Sequence, residues 1–299
     1  MDIIIGYVVP FLIILSVVVF VHEYGHYWVA RRNGVRVEVF SIGFGKELVG
    51  FNDKHGTRWK FSLIPLGGYV KMLGDADETS ARPDETTASD PDSFPAKSVF
   101  QRMAIVVAGP AANFLFAIVV LSILFVFSGR PFTPPVVGEV TPESPAAAAG
   151  LEPGDRINAV DGAEVDSFES LQGMVRDQAE VPLAFTIERN GEVFDVTVTP
   201  ALNEIEDRFG NTHRVGLVGI SRSGVEFRRS NPGMAVFEAT SETVRMVTAT
   251  LGALGEMIVG SRGTEELGGP LRIAQMSGTI AQDGLVPAIW FTAVLSINL

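Results

Sequence analysis

Apolar residues gather into three long uncharged runs: Ile3–Val21 is 19 residues, Ala104–Phe127 is 24, and Leu285–Leu299 is 15. At ~1.5 Å per residue, the first two can cross the ~30 Å hydrocarbon core of a bilayer as helices. The third falls short of the ~20 residues a span needs. It reads as the start of a transmembrane helix, 285–299, cut off inside the span.

Between the first two runs the pattern changes period. "VRVEVFSIGFGKELVGF" and "RWKFSLIPLGGYVKMLG" alternate apolar with polar positions, carry β-branched and aromatic residues, and are punctuated by Gly and Pro. That is the signature of strands and a hairpin, assigned to 31–74. Residues 75–99 hold an acidic stretch rich in Pro, Ser and Thr and poor in large apolar side chains, expected to be a flexible loop.

After the second run, 131–221 reads as one small α+β domain. It has a strand, a Ser-capped short helix and a second strand, then a helix over Ser167–Gln178, a hairpin on Asn190-Gly191 and a last strand in "RVGLVGI". The segment 222–284 is expected to be helical and partly interfacial, with Val236, Phe237, Val244, Val247, Leu251, Leu254 and Ile258 near one helix face. The expected frame is a transmembrane helix at 1–30, a β region at 31–74, a loop at 75–99 and a second transmembrane helix at 100–129. A soluble domain, a linker and a third apolar helix follow.

Composition refines this picture in three places. Apolar residues make up 46% of the chain, an ordinary share, yet mean hydropathy is +0.27 because they are concentrated. A net charge of −12 argues against nucleic acid as a partner. The absence of cysteine excludes disulfides and thiolate metal sites. The start "MDIII" lacks the basic n-region of a cleaved signal peptide. Lys and Arg fill the segment between the two spans, from Arg31 to Arg102, and none precedes the first. The positive-inside rule then places 31–99 in the cytoplasm, with the N-terminus and everything from Arg130 onward outside.

The first run ends in "VVVFVHEYGHYWVARR", which holds two of the four histidines. Ionisable groups at membrane depth are costly and mark function. On a helix, His22 and His26 lie one turn apart on one face and can converge on a zinc ion. Glu23 can then act as base toward a water acidified by that ion, the chemistry attached to H-E-x-x-H on a helix. A catalytic zinc has three protein ligands, and no third is evident in the sequence. In the second run, "AGPAAN" sets Gly109, Ala111 and Ala112 where helices can approach closely, with Asn113 able to hydrogen-bond across the contact. A non-catalytic membrane adaptor, binding partners through its soluble domain, is the alternative to an enzyme.

Together "HEYGH", "FSIGFGKEL", "IPLGGYVKMLGD", "FQRMAIVVAGPAANFLFA", "GLEPGDRI", "LGGPLRIAQ" and "LSINL" resemble the site-2 protease family, most closely its bacterial RseP-like branch. The resemblance implies a membrane α-helical protein of the bacterial inner membrane, with a cytoplasmic membrane-associated β-hairpin and an extracytoplasmic PDZ (α+β) domain at 131–221. It implies Zn2+ held by His22 and His26, and Glu23 as catalytic base. A third ligand, an aspartate in an L-D-G motif, would come after Leu299. It further implies transmembrane protein or peptide substrates such as anti-sigma factors or signal-peptide remnants, contact with the lipid bilayer, and a peptide ligand for the PDZ domain. Gly67, Gly68 and Tyr69 on a strand edge, with Asn113 and Asn298, are the candidate substrate-binding positions. A strand edge suits that role because a substrate helix must unwind before cleavage, and β-addition replaces its lost hydrogen bonds.

Overall fold

The computed structural model describes residues 4–75, 90–206, 212–260 and 269–299. Most of the acidic loop expected at 75–99 lies outside the described residues. The chain divides into two units, one of Met1–Val126, Asn231–Leu251 and Glu265–Leu299, the other of Phe127–Ser230 and Gly252–Thr264.

In the first unit a π-helical turn, Ile4–Val8, leads into α1 (Val9–Arg32). Pro10 sits where the π-helical turn passes into α1. Arg31 and Arg32 close the last turn, with the Arg32 guanidinium 4.1 Å from the Trp28 ring centroid. Two strands follow, β1 (Val37–Asn52) and β2 (Arg58–Met72), and then α2 (Val99–Phe127). Reciprocal hydrogen bonds between Ser98 and Gln101 start α2 as a capping box. The helices Ile5–Arg32 and Val99–Phe127 are both long and apolar enough to cross a membrane.

The two strands fold back on themselves. Val39, Phe40, Ser41 and Ile42 lie opposite Arg58, Trp59, Lys60 and Phe61 on one side, and opposite Lys71, Val70, Tyr69 and Gly68 on the other. The far half of β1, Glu47–Asn52, pairs with Ser62–Arg58. Residues 39–42 are thus central, and 68–72 form an edge. The turn after β1 is tied to α1 through Asp53. Its carboxylate accepts from Tyr27 Oη (2.8 Å), Trp59 Nε1 (3.1 Å) and the backbone N–H groups of His55 and Thr57 (2.8 and 3.0 Å). Burial would raise the Asp53 pKa, but these donors outweigh it and bring it down to about 2.

The other unit carries β3 (Arg130–Phe132), β4 (Val137–Val140), α3 (Pro145–Ala148), β5 (Arg156–Val160), β6 (Ala163–Glu164) and α4 (Phe168–Arg176). It continues with β7 (Leu183–Arg189), β8 (Glu192–Val198), β9 (Ala201–Glu206), β10 (Thr212–Leu217), β11 (Ile220–Arg222) and β12 (Glu226–Arg228). A four-stranded sheet runs β6-β5-β7-β8, and the pairs β9–β10, β4–β11 and β3–β12 flank it. The core gathers Ile157, Leu171, Phe185, Ile187 and Val198. Ser144 and Ser167 cap α3 and α4 through their side-chain oxygens. Two expectations are corrected here. "RVGLVGI" is not one strand: it breaks at Val218-Gly219, where Gly219 has φ +82°. The unit also extends past 131–221, because Arg130–Phe132 pairs with Glu226–Arg228.

Three helices complete the chain: α5 (Pro232–Ile258), α6 (Pro270–Gln282) and α7 (Leu285–Asn298). α5 buries Ala235, Ala239 and Thr243, the two alanines in a cluster with Ala117, Leu121 and Ala293. Val236, Phe237, Val244, Leu251, Leu254 and Ile258 are exposed. The small-residue face of α5 therefore makes the helix contact, and the large apolar stripe faces away from it.

Candidate metal centre

His22 and His26 stand on consecutive turns of α1 with their Nε2 atoms 3.2 Å apart. Two nitrogens each ~2.0–2.1 Å from a tetrahedral zinc ion would lie about 3.3 Å apart, so the spacing suits a shared ion. The space in front of these nitrogens is kept by α2. A Cβ on Gly109 would collide with His26 Nε2 and lie 2.7 Å from His22 Nε2. The helices interlock, since a Cβ on Gly25 would strike the Ala108 carbonyl and lie 2.7 Å from the Ala112 methyl. Small residues on both sides allow this approach.

The other ring nitrogens are held by α2. His26 Nδ1 donates to the Ile105 carbonyl at 2.7 Å, the arrangement that leaves Nε2 as a lone-pair donor to a metal. His22 Nδ1 lies 3.1 Å from Asn113 Nδ2. Asn113 is 1% exposed, and its Oδ1 has no hydrogen-bond partner among the described residues. The Asn113 carbonyl accepts from Ser296 Oγ of α7 at 3.1 Å. With one ring already presented by a backbone carbonyl and the other beside a reversible amide, the donor set fits a cation. Among the described residues no group of three His, Asp or Glu completes a metal site.

Glu23 faces the β2 edge. A Cβ on Gly68 would lie 3.3 Å from Glu23 Cγ and 2.8 Å from Val19 Cγ1, so only glycine lets the strand pack this closely. Gly67, at φ +127°, packs on the Phe44 ring, and Tyr69 stacks on Phe44 at 6.1 Å between centroids. Of the candidate substrate-binding residues, Gly68 and Asn113 are thus placed beside the motif. The Asn298 side chain accepts from Thr250 Oγ1 of α5 and donates to the Val294 carbonyl. Sequence reasoning did not single out the Ile105 carbonyl or Ser296. For Gly109 the sequence suggests close helix packing, and the Gly-Pro step inside an apolar run is the signal there.

The chain matches the sequence family described as Peptidase family M50 over residues 10–299. A protein of Agrobacterium fabrum, named as a zinc metalloprotease, is 43% identical over 98% of this chain and 80% of its own length. Metalloprotease MmpA of Caulobacter vibrioides is 38% identical over 97% of this chain and 80% of its own length. Among solved structures, the PDZ domain of an SdrC-like protein from Listeria monocytogenes aligns with 30% of this chain and 88% of its own, at 17% identity and a TM-score of 0.24.

Proposed function

The chain belongs to peptidase family M50, and from that premise we propose that it cuts single-span membrane proteins, with His22 and His26 holding zinc and Glu23 acting as base. That it is a zinc metalloprotease follows from the family and the relatives, and this displaces the adaptor alternative. The observation that carries the site assignment is the pair of Nε2 atoms 3.2 Å apart with Gly109 before them.

When bound, zinc supplies a Lewis acid that polarises a carbonyl and lowers the pKa of water. The protein's own groups supply the rest. Ile105 orients His26, and Asn113 neighbours His22. Glu23 is placed to take the proton of the attacking water and pass it to the departing amine. Gly68 brings the 68–72 edge against Glu23, where an added Cβ would lie 3.3 Å from the Glu23 Cγ. An unwound substrate added along this edge would lie beside Glu23, its backbone hydrogen bonds replaced by those of the strand.

Leu48, Val49, Phe51, Leu63, Ile64 and Leu66 are exposed on the same strands, with Lys46, Lys54 and Lys60 near them in the chain. Apolar side chains flanked by lysines suit a lipid interface and support membrane association of this β region. The inner membrane is the proposed location, with 31–99 cytoplasmic and 131–221 outside, on the lysine and arginine bias. Anti-sigma factors and signal-peptide remnants are the proposed substrates. A PDZ reading of 131–221 is supported by a shallow apolar groove between α4 and 216–220, lined by Phe168, Leu171 and Val175.

The test is Glu23→Gln on a reporter carrying a destabilised transmembrane helix. Cleavage falls by roughly 10²–10⁴-fold while zinc content stays at the wild-type level. Cleavage at the wild-type rate sinks the assignment.

A further inference from the structure

The first turn of α2 carries a cation that its helix does not favour. The N-terminal end of a helix holds partial positive charge, so an arginine is stabilised in a last turn and opposed in a first one. Arg31 and Arg32 stand at the favourable end of α1. Arg102, three residues after Val99 opens α2, stands at the unfavourable end. It also lies three residues before Ile105 and seven before Gly109, the residues that meet His26, so it shares the face packed on α1. Its Nε is buried without a hydrogen-bond partner, and a buried donor of a charged group left unpaired is costly.

A second cation stands at the same end of the seam. The two helices are antiparallel, since His26 meets Ile105 while His22 meets Asn113, so the end of α1 adjoins the start of α2. In the turn that closes α1, a Cβ on Gly34 would lie 3.3 Å from Lys97 Nζ. Lys97 is half-buried, and neither it nor Arg102 has an ion pair among the described residues. The nearest acids in sequence, Asp90 and Asp92, are exposed and bond elsewhere. The Asp92 carbonyl accepts from the Arg36 N–H, and the Asp90 carboxylate accepts from the Asp92 N–H. An anion with several oxygens is what this pair lacks, and a phosphate matches the guanidinium fork.

The source of that phosphate follows from depth. Both helices that meet here are long and apolar enough to cross a bilayer. Val99 and Met103 neighbour Arg102 on the surface of α2, and both are exposed, as is Phe100 in the same turn. On α1, Trp28 is exposed four residues before Arg32. Cations beside exposed apolar side chains and a tryptophan mark the level where acyl chains give way to headgroups. A free phosphate ion would match the charges and leave the apolar side chains uncovered.

We propose that an anionic glycerophospholipid binds at this end of the α1–α2 seam. Its phosphate accepts from Arg102 and Lys97, and its acyl chains run along Val99, Phe100 and Met103. The bound phosphate ties the first turn of α2 to the turn that ends α1, one helical turn from the Ile105 carbonyl that orients His26. The site stands apart from the peptidase reading and needs no metal.

The experiment titrates the full chain in detergent with phosphatidylglycerol and counts bound lipid by native mass spectrometry. Phosphatidylcholine with the same acyl chains is the neutral reference. Wild type binds phosphatidylglycerol roughly tenfold more tightly than phosphatidylcholine. Arg102→Gln and Lys97→Gln each weaken phosphatidylglycerol binding by roughly tenfold and leave phosphatidylcholine unchanged. Lys54→Gln, which removes an exposed cation from the turn after β1, stays within about twofold of wild type. Binding by Arg102→Gln or Lys97→Gln within about twofold of wild type overturns the proposal. So does an equal loss in Lys54→Gln, which would mean that overall charge alone attracts the lipid. Displacement of phosphatidylglycerol by an equal concentration of inorganic phosphate overturns the lipid as occupant. Should Arg102→Gln fail to fold, Lys97→Gln decides by the same criterion. None of these readouts involves zinc or cleavage, so a failure here leaves the peptidase reading untouched.

Discussion

Asp155 in the β-rich unit and Asn113 in the helical unit are equally buried, each 1% exposed, and their surroundings are opposite. Asp155 is saturated. Oδ1 accepts from Arg189 Nε at 2.6 Å, and Oδ2 from Arg189 Nη2 at 2.7 Å and the Glu152 N–H at 2.8 Å. The result is a closed clamp across the Leu151–Gly154 turn, with Arg189 also reaching the Gly150 carbonyl at 2.7 Å. Asn113 has one atom paired to a reactive ring and one atom paired to nothing among the described residues. A buried polar group that is fully satisfied holds a structure together, whereas one left half-satisfied beside titratable rings marks a place where something else is to be bound.

The sharpest way to break this contrast is Gly109→Val. Its side chain would enter the space before both Nε2 atoms, so zinc binding and proteolysis are lost together while amide exchange in 151–157 is unchanged. Retained zinc stoichiometry would show that the ion sits elsewhere. A smaller effect is expected from Asp155→Asn, which removes the buried anionic partner of Arg189, leaves it the exposed Glu152 carboxylate at 2.9 Å, and speeds amide exchange around the 151–157 turn, with zinc binding intact.

The same pair predicts a pH signature. Burial alone would push the Asp155 carboxyl up, but the hydrogen bonds from Arg189 and the Glu152 N–H and the charge of Arg189 bring it below the usual aspartate range. Its folded pKa thus lies below the unfolded value of about 3.9. The stabilisation is present above that value and is lost as pH falls through the folded pKa. Acid should loosen the 151–157 turn in wild type and do so less in Asp155→Asn; equal acid sensitivity would contradict the clamp. The smallest effect is expected from Tyr27→Phe, which removes one of the donors to Asp53 at a cost of about 1 kcal/mol. Unfolding in urea with zinc affinity measured in parallel checks that stability moves and metal binding does not.

How much of this was legible from the sequence depends on where the partners sit in the chain. His22, Glu23 and His26 declare themselves because they share one helix within five residues. The atoms that orient them come from α2, 79 residues away for Ile105 and 91 for Asn113, and one is a backbone carbonyl, which no residue type announces. Alternation in 31–74 predicts strands but not that Val39–Ile42 pairs on both sides, because a bend that brings a strand back leaves no periodic trace. Glu226–Arg228 was missed as a strand since all three residues are exposed and show no buried face. In α5 the large apolar residues drew the eye, while alanines made the contact. Asn298 stands out only through family likeness, and nothing in the sequence announces its bond to Thr250, 48 residues away.

The dependence of α1 on Ile105 and Asn113 also has a meaning in time. A chain is made from its N-terminus, so α1 is complete well before α2 has been synthesised. During that interval His22, Glu23 and His26 are all present, but neither ring has the α2 carbonyl or amide that aims it. The nascent protein carries the letters of a peptidase without its aim. Docking of the second helix is then both a folding step and the step that arms the enzyme.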